Sequence, residues 1–220
     1  MAQMWERLYQ THKELCLDAA VAHGKRIVAC LPSTAVEIRP STRVLDMGCG
    51  ASGILLALDQ GIRTGIDPLM DHYRRIYPFL DGYPIMWQAR TAEAYQPKER
   101  FDVVFSINSL DHMQDPRAAA DSIVALLAPG GCVVLLVNAH RSRRVRGYFA
   151  WCYPFVDPPH PHQFHEDDVP RLFPSLNEIH REDVDHHWLA VERAFALSSG
   201  GGRRLAVLRT VVDVLNPFQL

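Results

Sequence analysis

The chain has no C-x-x-C pair, no internal repeat, no long low-complexity tract and no apolar run approaching the ~20 residues that span a bilayer. Its five cysteines, Cys16, Cys30, Cys49, Cys132 and Cys152, are odd in number and widely spaced. That argues against a disulfide framework or a zinc knuckle and fits the reduced thiols of a cytoplasmic protein. A dominant charge is missing too. The 23 basic and 25 acidic side chains give a formal net charge of −2, which excludes the strongly basic balance of a DNA-coating protein. The stretch MAQMWERLYQTHKELC places Glu6, Lys13 and Glu14 where a signal peptide needs uninterrupted apolar residues, so a soluble protein with no membrane partner is expected.

What is present is a 220-residue chain with 48% hydrophobic residues. At roughly 150 residues per domain it makes one large domain, 1–220, able to bury a core without a metal or disulfide staple. Trp5, Leu8, His12, Leu15 and Ala19 recur at three- and four-residue steps, predicting a helix to about Cys30. Short apolar runs at Arg43–Met47, Arg63–Asp67, Ile85–Ala89, Phe101–Asn108 and Cys132–Asn138 read as strands. Ala51–Leu58 reads as a helix, and a second helix has Asp115 as N-cap, Pro116 in its first turn and Gly130 past its end. This alternation predicts a parallel sheet with helices on both faces.

After Ala139 the alternation breaks. Residues 140–166 are rich in Arg, Pro, His and aromatics without clear periodicity, and a short helix is expected near Asp168–Phe173. Trp188–Leu197 and Arg204–Leu215, joined by SSGGG, read as an antiparallel hairpin. The expected architecture is therefore α/β, a mostly parallel sheet ending in an antiparallel pair, with 1–40 as an N-terminal helical cap and 140–187 as an insertion.

The most informative stretch is VLDMGCGASG at Val44–Gly53. Gly48, Gly50 and Gly53 match G-x-G-x-x-G between a strand and a helix, where bare backbone and free N–H groups meet a ligand. Asp67 ends the next strand, placed to accept hydrogen bonds from both hydroxyls of a ribose. Asp46, two residues before Gly48, would repel a pyrophosphate but suits a ligand with a positive end. Capping a turn or pairing with an arginine is the other use of a carboxylate there.

VLDMGCGASG, then GID at Gly65–Asp67, FDVVFSINSLDHMQDP and LLAPGGCVVLLV resemble, in this order, a class I S-adenosylmethionine-dependent methyltransferase acting on small molecules. The resemblance spans about Arg43 to Asn138. It implies a Rossmann-like, mostly parallel seven-stranded sheet with a C-terminal antiparallel β-hairpin, and S-adenosylmethionine as cofactor. Asp46, Gly48, Cys49, Gly50 and Gly53 then meet the methionine portion, Asp67 the ribose, and Pro68 and Leu69 the adenine. Arg90 and Thr91 stand where the family commonly has an Asp for the adenine amino group, leaving Ala92 backbone or Glu93 as substitutes. Asn108 faces the methyl-transfer position.

Methyl transfer from a sulfonium is an in-line displacement that mainly requires alignment and desolvation; a base is needed only for a protonated nucleophile. Asp111 and His112 lie just beyond the fourth strand. They resemble the E-x-x-E-H stretch of ubiquinone-type O-methyltransferases, in which acids and a histidine bind a divalent metal. Asn108 and Asp111 replace the two Glu, so no metal is expected. His160, His162 and His165 in DPPHPHQFH lack the helical i, i+4 zinc spacing and read as a proline-stiffened lid, with His162 a candidate base beside His112 and Asp111. The run HRSRRVR at His140–Arg146 is either a solvated face or a site for an anionic acceptor. Tyr148, Phe149, Trp151, Tyr153 and Phe155, with Trp5 and Tyr9, either wall an apolar acceptor pocket or pack ordinarily. DNA is excluded as partner and RNA disfavoured. A nicotinamide oxidoreductase and a non-catalytic cofactor-binding relative are the alternatives.

Overall fold

A computed structural model describes residues 17–29, 37–51, 53–140, 142–156, 160–165, 167–186, 190–198 and 204–212. Five strands, β1 (Arg43–Met47), β2 (Ile62–Ile66), β3 (Ile85–Gln88), β4 (Phe101–Ile107) and β5 (Leu127–His140), pair in parallel in the order β3-β2-β1-β4-β5. A parallel sheet is covered on both faces, so its strands read as nearly unbroken apolar runs; in β1 the four residues after Arg43 are all buried. Period-two alternation then divides the core. Leu45, Val104, Val133 and Leu135 pack with Ala119, Ala120 and Ile123 of helix α3 (Pro116–Leu126). Val44, Phe105, Val134 and Leu136 join a second cluster with Ile27 of α1 (Leu17–Ala29) and Met70 and Tyr73 of α2 (Met70–Ile76). The strand order reverses between β1 and β4, the crevice where ligands of open α/β sheets bind.

Helix α3 starts as its sequence dictates: Asp115 Oδ1 accepts from the N–H groups of Arg117 (2.9 Å) and Ala118 (3.1 Å), and Pro116 needs no donor there. Its end lies at Leu126, four residues before Gly130. Arg100, at the foot of β4, donates Nη1 to the carbonyls of Ala125 and Leu127, closing the helix without a glycine.

The predicted helix over Ala51–Leu58 is a single 3₁₀ turn, Ile54–Ala57. All four of its residues are buried, so the segment has no polar face to turn outward. The extended Leu58 and the Gly61 turn lead the chain straight into β2. Residues 143–156, expected to lack periodicity, form helix α4 (Arg143–Val156). Its inward positions, Val145, Phe149 and Cys152, do follow helical spacing, but the surrounding arginines and exposed aromatics hide it. A two-residue strand β6 (Phe164–His165) pairs with Ala139 and His140, and α5 (Asp168–Leu172) follows where a short helix was expected.

Three further strands, β7 (Glu178–His186), β8 (Ala190–Ser198) and β9 (Arg204–Val212), extend the sheet beyond β5 in the order β9-β7-β8. β9 runs parallel to β5 and β7, and antiparallel to β8, with Ala190 opposite Val212 and Ser198 opposite Arg204. Nine strands thus stand among the described residues where seven were expected. The two-residue β6 and the polar EIHREDVDH of β7 carry no apolar run that would announce a strand. Among the described residues no helix is long and apolar enough to cross a membrane. The candidate residues Trp5 and Tyr9 lie outside the described residues, as does the DPP that precedes His160.

Candidate functional site

At the carboxyl ends of β1 and β4 a cavity of about 290 Å³ opens among the glycine turn, Asp67–Leu69, Arg90–Glu93, Ile107–Ser109, His112–Gln114 and His23, Gly24 and Ile27 of α1. Gly48 holds φ +74°, and a Cβ there would lie 2.5 Å from that of Ser109. The turn is fixed from below: the N–H groups of Gly48 and Cys49 both donate to the Ile66 carbonyl, and Ser109 Oγ donates to the Met47 carbonyl at 2.8 Å, with Ser106 Oγ 2.7 Å from it. Gly53 is required by close approach, since its Cβ would stand 2.5 Å from Asp46 Oδ2.

Asp46 is 1% exposed. Its Oδ2 accepts from the Ile54 N–H at 3.1 Å, so the carboxylate does cap the 3₁₀ turn, whereas its buried Oδ1 has no hydrogen-bond partner among the described residues. Burial pushes its pKa from 3.8 up to about 8, opposed by the Ile54 bond and reinforced by the nearby Asp67 charge. Asp67 ends β2 with both oxygens engaged: Oδ2 accepts from Gly50 N–H (3.0 Å) and Oδ1 from Leu69 N–H (2.8 Å). Burial, with the charges of Asp46 and Asp67, raises the Cys49 thiol well above its ordinary value, which makes it a packing residue rather than a nucleophile.

Every residue expected at the cofactor lines this one cavity: Asp46, Gly48, Cys49, Gly50, Gly53, Asp67, Pro68, Ala92, Glu93 and Asn108. Glu93 Oε1 is occupied by the N–H groups of Gln114 (3.1 Å) and Asp115 (3.4 Å), tying the loop after β3 to the start of α3. Asn108 holds φ +49°, a left-handed conformation that Asn tolerates better than most residues, and its buried Oδ1 has no hydrogen-bond partner among the described residues.

The three candidate catalytic residues divide. His112 lines the cavity. Asp111, 1% exposed, lies behind it with Oδ1 4.0 Å from His112 Nε2. His162 does not line the cavity; its Nε2–H donates to the Met113 carbonyl at 2.8 Å and its backbone N–H to the Asp111 carbonyl at 3.4 Å, pinning the segment after α4 onto the turn 110–112. This contact carries His160 to within 4.5 Å of His112, ring centre to ring centre. The described arginines of the run, Arg143, Arg144 and Arg146, do not line the cavity. Arg143 pairs with Asp167 (2.9 Å) and Arg146 approaches Asp168 (3.6 Å), while Tyr148 and Trp151 are 59% and 79% exposed.

Sequence reasoning missed His23, Gly24 and Ile27, which carry no motif and arrive through the packing of α1 on the 54–57 turn, and Ser109, whose hydroxyl role exists only across 62 residues of chain. A family model described as a methyltransferase domain matches residues 20–177. The ubiquinone biosynthesis O-methyltransferase of Aeromonas salmonicida is 35% identical over 102 residues, 42% of this chain and 42% of that protein. The chain thus spans about two fifths of the length of the curated relatives it matches. Among solved structures, magnesium protoporphyrin IX methyltransferase from Synechocystis PCC 6803 with bound SAH superposes with TM-score 0.59 at 12% identity, covering 90% of this chain and 94% of that one. The YcgJ protein from Bacillus subtilis gives TM-score 0.58 at 20% identity, covering 74% and 73%. These structural likenesses establish the α/β, Rossmann-like fold.

Proposed function

We propose, from the premise that this chain belongs to the methyltransferase domain family, that it moves a methyl group from S-adenosylmethionine to an oxygen or nitrogen of a small organic acceptor. The observation that carries the reading is the Asp46 carboxylate, buried in the cavity wall beside the glycine turn with one oxygen unpartnered. A cationic ligand draws out and compensates the ionised form of such a group, which repels a pyrophosphate, so it favours a sulfonium- and ammonium-bearing nucleoside over a nicotinamide dinucleotide.

In this reading the bare backbone of the glycine turn lies against the methionine portion of the ligand, Asp67 takes the ribose hydroxyls, and Pro68 and Leu69 lie against the adenine, with Ala92 and Glu93 nearby. When bound, the cofactor supplies a methyl group already activated by its positive sulfur. The chain's own contribution is alignment and exclusion of water, through Asn108 and the residues that wall the cavity. Of the two histidines at the cavity wall, His23 on α1 and His112 after β4, we assign His112 the proton of a hydroxyl or ammonium acceptor. Asp111 supports it from behind. His162, its Nε2 occupied by Met113, serves as a positioning residue. Of the stretches 1–40 and 140–187 expected to cover the acceptor, the described helix α1 supplies His23, Gly24 and Ile27 to the cavity wall.

The test is calorimetric titration of the full chain with S-adenosylhomocysteine and, separately, with NAD, followed by methyl transfer from labelled S-adenosylmethionine to a panel of phenols and amines. Binding of the first ligand alone, with turnover on the panel that His112→Ala slows, is the expected result. NAD binding in its place overturns the cofactor assignment. Cofactor affinity with no turnover across the panel favours a non-catalytic relative.

A further inference from the structure

Three donors of metal-binding type converge beside the cavity: a carboxylate oxygen of Asp111 and one ring nitrogen each from His112 and His160, all within 4.8 Å of one another. Asp111 is 1% exposed, and its two oxygens lie 4.0 Å from His112 Nε2 and 3.9 Å from His160 Nε2. Both pairs stand at ion-pair distance, beyond the reach of a direct hydrogen bond. The two rings are tilted at 52° with their centres 4.5 Å apart.

We propose that Asp111, His112 and His160 form a binding site for a divalent transition-metal ion of the zinc, cobalt or ferrous class. Tetrahedral ligands about 2.0–2.1 Å from such an ion stand about 3.3 Å apart, so the three donors need to close by an ångström or so. Side-chain rotation supplies that closure, because both histidines are about a quarter exposed, at 27% and 28%. Of the three, His112 lines the cavity, so an ion held here would stand at its wall. Two imidazoles and one carboxylate select borderline ions over the hard, oxygen-seeking magnesium or calcium. The donor set is not the acid-rich E-x-x-E-H stretch. His160 comes from beyond α4, outside that stretch, and is delivered by the clamp of His162 on Met113. The proposal does not depend on methyl transfer, so its failure and that of the methyltransferase reading are separable. If the ion is held, His112 acts as a ligand, and the ion rather than the imidazole acidifies an acceptor hydroxyl.

The chelator-stripped full chain is titrated with Co²⁺ near neutral pH, without cofactor or acceptor. The expected result is a visible absorption band saturating at a single ion per chain, displaced by equimolar Zn²⁺ and untouched by excess Mg²⁺. His160→Ala and Asp111→Asn weaken binding by at least about 100-fold, the upper range for loss of even an outer partner, whereas His72→Ala on α2 leaves it unchanged. His160→Cys, for which folding is checked by thermal melting, retains a bound ion and adds a thiolate-to-cobalt charge-transfer band. A single-ion band that survives His160→Ala, Mg²⁺ that displaces Co²⁺, or a His160→Cys protein that folds but shows no charge-transfer band overturns the site.

Discussion

Replacing Asp46 by Asn isolates the electrostatic cost at the heart of the cavity. The native carboxyl titrates at about 8, against 3.8 in the open chain, because burial disfavours its charge. The folded state therefore binds the proton more tightly. Stability from this group is fully present below about pH 3.8 and is lost as pH rises toward 8. At 1.36 kcal/mol per unit, the penalty amounts to about 4 kcal/mol at pH 7 and about 6 kcal/mol above pH 9. Asn keeps an oxygen for the Ile54 N–H and never ionises. Chemical denaturation is expected to show Asp46→Asn more stable than wild type at pH 9, with the gap shrinking on acidification and absent near pH 4. The same carboxylate predicts that wild-type affinity for S-adenosylhomocysteine climbs about tenfold per pH unit between pH 5 and 8, as its ammonium draws out the ionised form, and that the Asn variant loses this slope. Parallel stability profiles from pH 4 to 9, or equal slopes of affinity, would refute the reasoning.

Asp67→Ala leaves the N–H groups of Gly50 and Leu69 without their acceptor. It is expected to cost about 1–2 kcal/mol in a denaturation curve and to weaken S-adenosylhomocysteine at least about tenfold by calorimetry; unchanged affinity removes Asp67 from the ribose. Gly48→Ala combines a positive φ with a contact of 2.5 Å to Ser109 Cβ, and should destabilise by about 3 kcal/mol. A lowered thermal melting temperature is the expected readout. Asp115→Ala removes both bonds to the first turn of α3 and should cost about 1 kcal/mol in urea.

What could be read in advance was what depends on neighbours in sequence. Val44–Gly53 shows its strand, its turn and its buried acid within ten residues, and the spacing to Asp67 follows from one short crossover to the next parallel strand. Asp115–Pro116 announced a helix start for the same reason. The 3₁₀ turn at Ile54–Ala57 was not legible, because apolar residues in succession fit a helix as well as a buried turn; only the cover of α1 and the short path to β2 decide. Helix α4 was obscured by arginines whose partners, Asp167 and Asp168, stand more than twenty positions away. The meeting of His160 with His112 likewise depends on a contact across 49 residues, from His162 to Met113.

Helix α1 lies over the 54–57 turn and contributes His23, Gly24 and Ile27 to the cavity wall. A ligand filling that cavity is thereby gripped between the sheet and an element that precedes it in the chain. Escape of the bound nucleoside becomes linked to undocking of that helix, and occupancy should slow hydrogen exchange at its amides. Residues with no chemistry of their own would in this way govern how long the site stays occupied.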